Sequence, residues 1–112
     1  MVVAMFASAY ALGGLGGGTG AWSEKNPSER GRPQEAAEWV VKKKYGSEAT
    51  LRRVVSVRQQ VVRGMNYQLV LEVDFDAPWR TNACTVDNFV VWDDLGTFRL
   101  TTHSIQDDAT CE

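Results

Sequence analysis

Residues 65–76 of this chain alternate almost without a break. Tyr67, Leu69, Leu71, Val73 and Phe75 are apolar, and Gln68, Glu72, Asp74 and Asp76 between them are polar. Successive side chains of a strand point to opposite faces, so this period of two gathers five large apolar groups on one side and three carboxylates on the other. A strand with one polar face belongs to a half-buried antiparallel sheet. The rest of the chain must cover that single apolar face.

The cover is upstream. In residues 33–45, Ala36, Ala37, Val40 and Val41 recur at helical spacing, and Trp39 widens the stripe. Asn26, Pro27, Ser28 and Pro33 mark a turn and the start of the helix. Lys42, Lys43 and Lys44 occupy its last turn, where cations suit the helix dipole, and Gly46 ends it. The lysine run reads as a solvated helix end, with an anionic partner as the alternative. Downstream, residues 51–63, 81–92 and 97–102 read as further strands. Asp76-Ala77-Pro78-Trp79 breaks the chain after the alternating strand, and Asp93-Asp94-Leu95-Gly96 forms a turn. Trp39 reads as core, and Trp79 as structural or a separate surface patch. The economical packing is an α+β domain, one helix on a twisted antiparallel sheet of four to five strands, spanning residues 22–112.

Composition narrows the function classes. The 112 residues amount to one domain. No apolar run approaches the ~20 residues of a membrane span. Twelve basic side chains stand against 14 acidic ones, a net charge of -2, so no cationic excess exists to bind a nucleic-acid backbone. One histidine and two cysteines fall short of the ligands most zinc sites need, and no cofactor is expected. Residues 1–11 are apolar and uncharged, and Ala9-Tyr10-Ala11 is a small-x-small pattern, as in a secretory signal peptide. No Lys or Arg precedes them, and a disordered or truncated start is the alternative. Residues 12–21 hold six of the ten glycines and read as a flexible arm.

The two long strands meet at Gln60-Val61-Val62-Arg63-Gly64. This segment resembles the Gln-x-Val-x-Gly first hairpin of the cystatins, inhibitors of papain-like cysteine proteases, with Gln60, Val62 and Gly64 matching. Gly20-Ala21-Trp22-Ser23 is similar to the family's N-terminal trunk. Val91-Trp92 is similar to the Pro-Trp that begins its second hairpin, and Gly96-Thr97 follows in order. The resemblance covers roughly residues 20–102. It implies a cystatin-like fold and a secreted, reversible, non-covalent inhibitor of papain-like (cathepsin-like) proteases, not an enzyme. The implied protease-binding residues are Gly20, Gln60, Val61, Val62, Arg63, Gly64 and Trp92. Leu15, or residues just before Gly20, would supply an apolar group on the arm, and Gly20 a close backbone approach. Val61 and Val62 would supply apolar contact, Gly64 a turn at positive φ, Gln60 a brace, and Trp92 an anchor lying flat beside the cleft. The hairpins would set most of the affinity and the arm would tune it.

The chain also departs from the family. Val91 replaces proline, which implies a slacker second loop. Asp93 and Asp94 would carry a desolvation cost unless they stay at a wet rim. Where the extracellular branch has two disulfides this chain can form one; Cys84 and Cys111 correspond to the C-terminal one if the chain is exported, and are free thiols otherwise. Residues 45–50 contain no Asn, so the resemblance implies no legumain inhibition. A monomer is expected, with a hairpin-swapped dimer on partial unfolding. Two rival readings stand beside the inhibitor. A non-inhibitory module of the same fold would have its three edges out of line, or Trp92 pointing inward. An enzyme would need an acid and a base in an apolar cavity, drawn from Asp74, Asp76, Asp87 and His103; His103 alone reads as structural.

Overall fold

The computed structural model describes residues 20–76 and 83–112. The expected leader, most of the glycine arm with Leu15, and Pro78-Trp79 lie outside the described residues. Five strands form one open antiparallel sheet in chain order: β1 (Trp22–Lys25), β2 (Ala49–Val62), β3 (Gly64–Phe75), β4 (Cys84–Asp94) and β5 (Thr97–Ile105). Among the described residues one α-helix, α1 (Arg32–Tyr45), lies between β1 and β2, followed by a 3-10 turn (Gly46–Glu48). The α+β domain has the form expected, and β1, added to the four strands read from the sequence, is the trunk. Trp22 lies opposite Gln60 and Lys25 opposite Val57.

The alternating face of β3 is the centre of the core. Tyr67, Leu69, Leu71, Val73 and Phe75 are all buried, together with Ala36, Ala37, Val40 and Val41 of α1 and Phe89 and Val91 of β4. The small helix residues let α1 lie close to the sheet while larger groups fill the flanks. Trp39 packs against the core with its ring 5.6 Å from that of Phe98.

The helix begins at Arg32, with Pro33 in its first turn and no side chain capping it. The Gly31 carbonyl accepts the Gln34 and Glu35 N–H groups instead. Asn26 holds the preceding turn, its Oδ1 accepting from the Ser28 N–H at 2.9 Å. At the other end Gly46 adopts φ +65° and its N–H reaches the Lys42 carbonyl.

β2 runs from Ala49 rather than 51, and its pairing with β3 slips between Leu51 and Arg53 and again between Val54 and Ser56. Each bulge adds an unpaired residue and increases the local twist, which curls the sheet around α1. The first bulge lets two neighbouring arginines reach one buried carboxylate. Arg52 Nε lies 3.5 Å and Arg53 Nη2 3.0 Å from Glu72. The Glu112 N–H donates to the same carboxylate at 3.1 Å. The hydrogen bond from Arg53, helped by that from Glu112, holds the Glu72 carboxyl below its ordinary value. The expected Cys84–Cys111 disulfide is formed and fixes this C-terminal segment at the start of β4. Among the described residues no helix is long and apolar enough to cross a membrane.

Candidate functional site

Antiparallel order brings the start of β1, the β2–β3 turn and the β4–β5 turn to the same end of the sheet. A row of directly opposed residues crosses all five strands just behind that end: Trp22, Gln60, Asn66, Trp92 and Arg99. Gln60 is the link in this row. Its Nε2 donates to the Gly20 carbonyl at 2.9 Å, and its Oε1 accepts from Asn66 Nδ2 at 3.0 Å. One side chain thus ties the trunk to the first hairpin, and Gly20 turns the chain there at φ +97°.

The first hairpin closes over Arg63 alone, with Val62 paired to Gly64 and Val61 to Met65. Gly64 has φ +80°, and a Cβ added to it would collide with the Asp93 carbonyl oxygen. Glycine is therefore required twice, by the backbone conformation and by the close approach of β4. Val61 projects into solvent, 51% exposed, while Val62 is half-buried.

β4 fastens the second hairpin to the first. Trp92 is half-buried inside the strand, and its Nε1 donates to the Arg63 carbonyl at 2.7 Å. Asp94 Oδ1 lies 3.4 Å from Arg63 Nε, and Asp94 Oδ2 lies 3.6 Å from Arg99 Nε. Val91 is buried under α1 and paired to Tyr67 and Leu100, so the second hairpin takes its rigidity from the ladder and not from a proline. The turn itself is Leu95-Gly96; Asp93 and Asp94 belong to the strand.

The two aspartates part company across the sheet. Asp93 is buried on the helix side. Arg32 donates to it through Nε at 2.7 Å and Nη2 at 3.3 Å, and the Gly96 N–H at 2.8 Å. Arg32 also lies 4.0 Å from the Phe98 ring centre and donates to the Gly96 carbonyl at 3.0 Å. The hydrogen bond from Arg32 holds the Asp93 carboxyl below its ordinary value against the effect of burial, and the Arg32 guanidinium is held correspondingly high. The expected desolvation problem is thus answered within the fold. Each carboxylate already has cationic partners, and neither occupies the tip.

The tip carries Leu95, 71% exposed and at φ +53°, the one non-glycine with positive φ among the described residues. A left-handed leucine costs roughly 1–2 kcal/mol. Together with the positive φ of Gly96 it gives the I′-type twist a two-residue hairpin prefers. Sequence reasoning passed over Leu95 and Arg32. A leucine directly before the glycine of a short turn, and an arginine directly before a helix-starting proline, were the available signals.

The other cluster of chemical groups sits at the far end of α1. Asp87 is fully buried and accepts hydrogen bonds from Tyr45 and Thr85, and His103 Nε2 lies 2.7 Å from Asp87 Oδ2. The His103 ring stacks on Phe89 at 4.4 Å. Sequence alone could not set Asp87 against His103; the β4–β5 pairing, with Phe89 opposite His103, brings them together. A groove of about 480 Å³ between α1 and β2 and one of about 390 Å³ beside the disulfide are lined by neither residue. The Asp87 carboxylate is consumed in pinning α1 to the sheet.

No family model and no curated protein matches this chain. Solved structures do. A salivary cystatin from the soft tick Ornithodoros moubata is similar with a TM-score of 0.63 and 23% identity over 78% of this chain and 97% of that one. Mialostatin, a gut cystatin from the hard tick Ixodes ricinus, is similar with a TM-score of 0.57 and 17% identity over 77% of this chain and 97% of its own. The chain has the cystatin fold.

Proposed function

We propose that this chain is a reversible, non-covalent inhibitor of papain-like cysteine proteases, exported with its Cys84–Cys111 disulfide closed. The observation that carries the reading is the alignment of Gly20, the Arg63 turn and the Leu95-Gly96 turn along one end of the sheet, in front of the row from Trp22 to Arg99. A papain-like cleft is a groove with a cysteine thiolate and a histidine on its floor. A wedge of three backbone edges fills such a groove while offering no scissile bond to the thiolate. The trunk at Gly20 would lie on one side of the catalytic residues, Val61, Val62, Arg63 and Gly64 would sit over them, and the second hairpin with Trp92 would lie on the other side. An interface of the usual protease–inhibitor size, about 1,600 Å² in total, is within reach of a domain this small. The hydrogen-bonded hairpins are already ordered and lose little entropy on docking, whereas the arm before Gly20 loses more; the hairpins accordingly set the affinity and the arm tunes it.

A non-inhibitory binding module of the same fold is the second reading. The observation in its favour is Trp92, whose indole is engaged with Arg63 instead of standing free. Titration of papain with the oxidised protein separates the two. Stoichiometric, reversible inhibition that Gly64→Glu removes is the expected result. A folded protein that inhibits neither papain nor cathepsin-like enzymes overturns the proposal and leaves the module.

A further inference from the structure

We infer that Leu95 is the specificity-determining contact of the second hairpin, inserting into an apolar depression beside the protease cleft, while Trp92 acts behind it as a positioning residue. The inference rests on the inhibitor reading. Three large apolar side chains are markedly exposed among the described residues: Val61, Leu95 and Ile105. Ile105 ends β5 far from the hairpin turns. Val61 and Leu95 stand at the two neighbouring turns, and the Leu95 nitrogen lies 3.1 Å from where a Cβ on Gly64 would be. The two turns that carry them therefore abut.

Leu95 has no folding reason to be leucine. The residue is 71% exposed, and its φ of +53° is one that Asn or Gly adopts at less cost. An exposed, conformationally costly apolar group points to a contact made outside the molecule. The charge pattern names the kind of contact. Asp93 is turned inward to Arg32, and Asp94 lies across the sheet between Arg63 and Arg99. What the turn presents, despite the Asp-Asp before it, is apolar, so its complement is an uncharged apolar pocket. The tip is also preset. Arg32 and Asp93 together hold both the N–H and the carbonyl of Gly96. Trp92 is left to join the hairpins through Arg63.

Leu95→Asn tests this, because Asn tolerates the left-handed conformation and removes only the apolar group. Against papain and two cathepsin-like enzymes, the variant is expected to melt no lower than the parent. Its inhibition should weaken by about 10- to 100-fold, mainly through faster dissociation and unequally among the enzymes. Leu95→Met, which keeps an apolar side chain, is expected to stay within about threefold of the parent. Should Leu95→Asn lower the melting temperature, Leu95→Gly at the same position gives the affinity in an unstrained turn. Parent-like inhibition by the folded Asn or Gly variant overturns the inference and leaves the inhibitor reading intact. A parent protein that inhibits none of the enzymes overturns both.

Discussion

The two hairpins at the turn end of the sheet hold their shapes by different means. The first is rigid through its own backbone, closing over Arg63 with Gly64 at φ +80° against the Asp93 carbonyl. The second is held from outside, by an arginine at the start of α1 that meets Asp93 and Gly96 from more than sixty residues away. A hairpin of the first kind fails when its glycine is replaced and has only the Arg63–Asp94 ion pair to lose with charge. A hairpin of the second kind keeps its turn chemistry but depends on protonation and on the docking of the helix.

Replacing Gly64 is the most severe way to break the comparison. Gly64→Ala combines a strained φ with a clash against backbone, and about 4 kcal/mol of stability is expected to disappear in urea unfolding. Inhibition should weaken with it at every pH. Reducing Cys84–Cys111 removes about 3 kcal/mol in the chain-entropy model. The bridge lies at the opposite end of β4 from both turns, so the melting temperature is expected to fall while inhibition of papain by the folded fraction stays constant.

Asp93→Asn separates the hairpins directly. Loss of the charged partner of Arg32 is expected to lower stability by about 2 kcal/mol, less than for a fully buried pair because Arg32 remains partly open to solvent. The sign of the pH effect follows from the same contact. The Asp93 carboxyl lies below its ordinary value in the folded chain, so the unfolded chain takes up the proton first. This contribution is complete above about pH 5 and is lost as pH falls through the lowered folded value. Glu72 adds a component of the same sign. Acid unfolding of Asp93→Asn should therefore show a shallower loss between about pH 5 and pH 2 than the parent, and an equal slope would remove Arg32 from this account. Trp92→Phe is the mildest change. It deletes one hydrogen bond to the Arg63 carbonyl and is expected to cost about 1 kcal/mol, with a small rise in the dissociation rate of the inhibited complex.

The same distinction governs what could be read from sequence. β3 is legible residue by residue because its own alternation is unbroken; the two register slips against it fall on β2. α1 is legible because Ala36, Ala37, Val40 and Val41 form a face by themselves. The first hairpin is local, and Gln60 to Gly64 announce it. β2 was legible as a strand over residues 51–63 but not in its facing, because two bulges reset its alternation, and β1 was not legible as a strand because four residues with three exposed side chains have no period to show. The second hairpin was misjudged at its aspartates. Asp93 and Asp94 look like turn residues by propensity, and the groups that keep them in a strand, Arg32, Arg63 and Arg99, come from three other parts of the chain. Whatever is held by distant partners was invisible to local patterning.

The strand order also carries a kinetic consequence. β2 and β3 are joined by one residue and β4 and β5 by two, the shortest closures in the described chain. Closing a loop that short costs little entropy, and each hairpin can zip from its turn outward. The far end, by contrast, relies on the helix crossing and on Cys84–Cys111. Amide exchange under native conditions should consequently begin with fraying at the Ala49 and Ile105 ends and reach Tyr67 and Val91 last. The surface proposed to meet a protease would then persist through partial opening of the fold behind it.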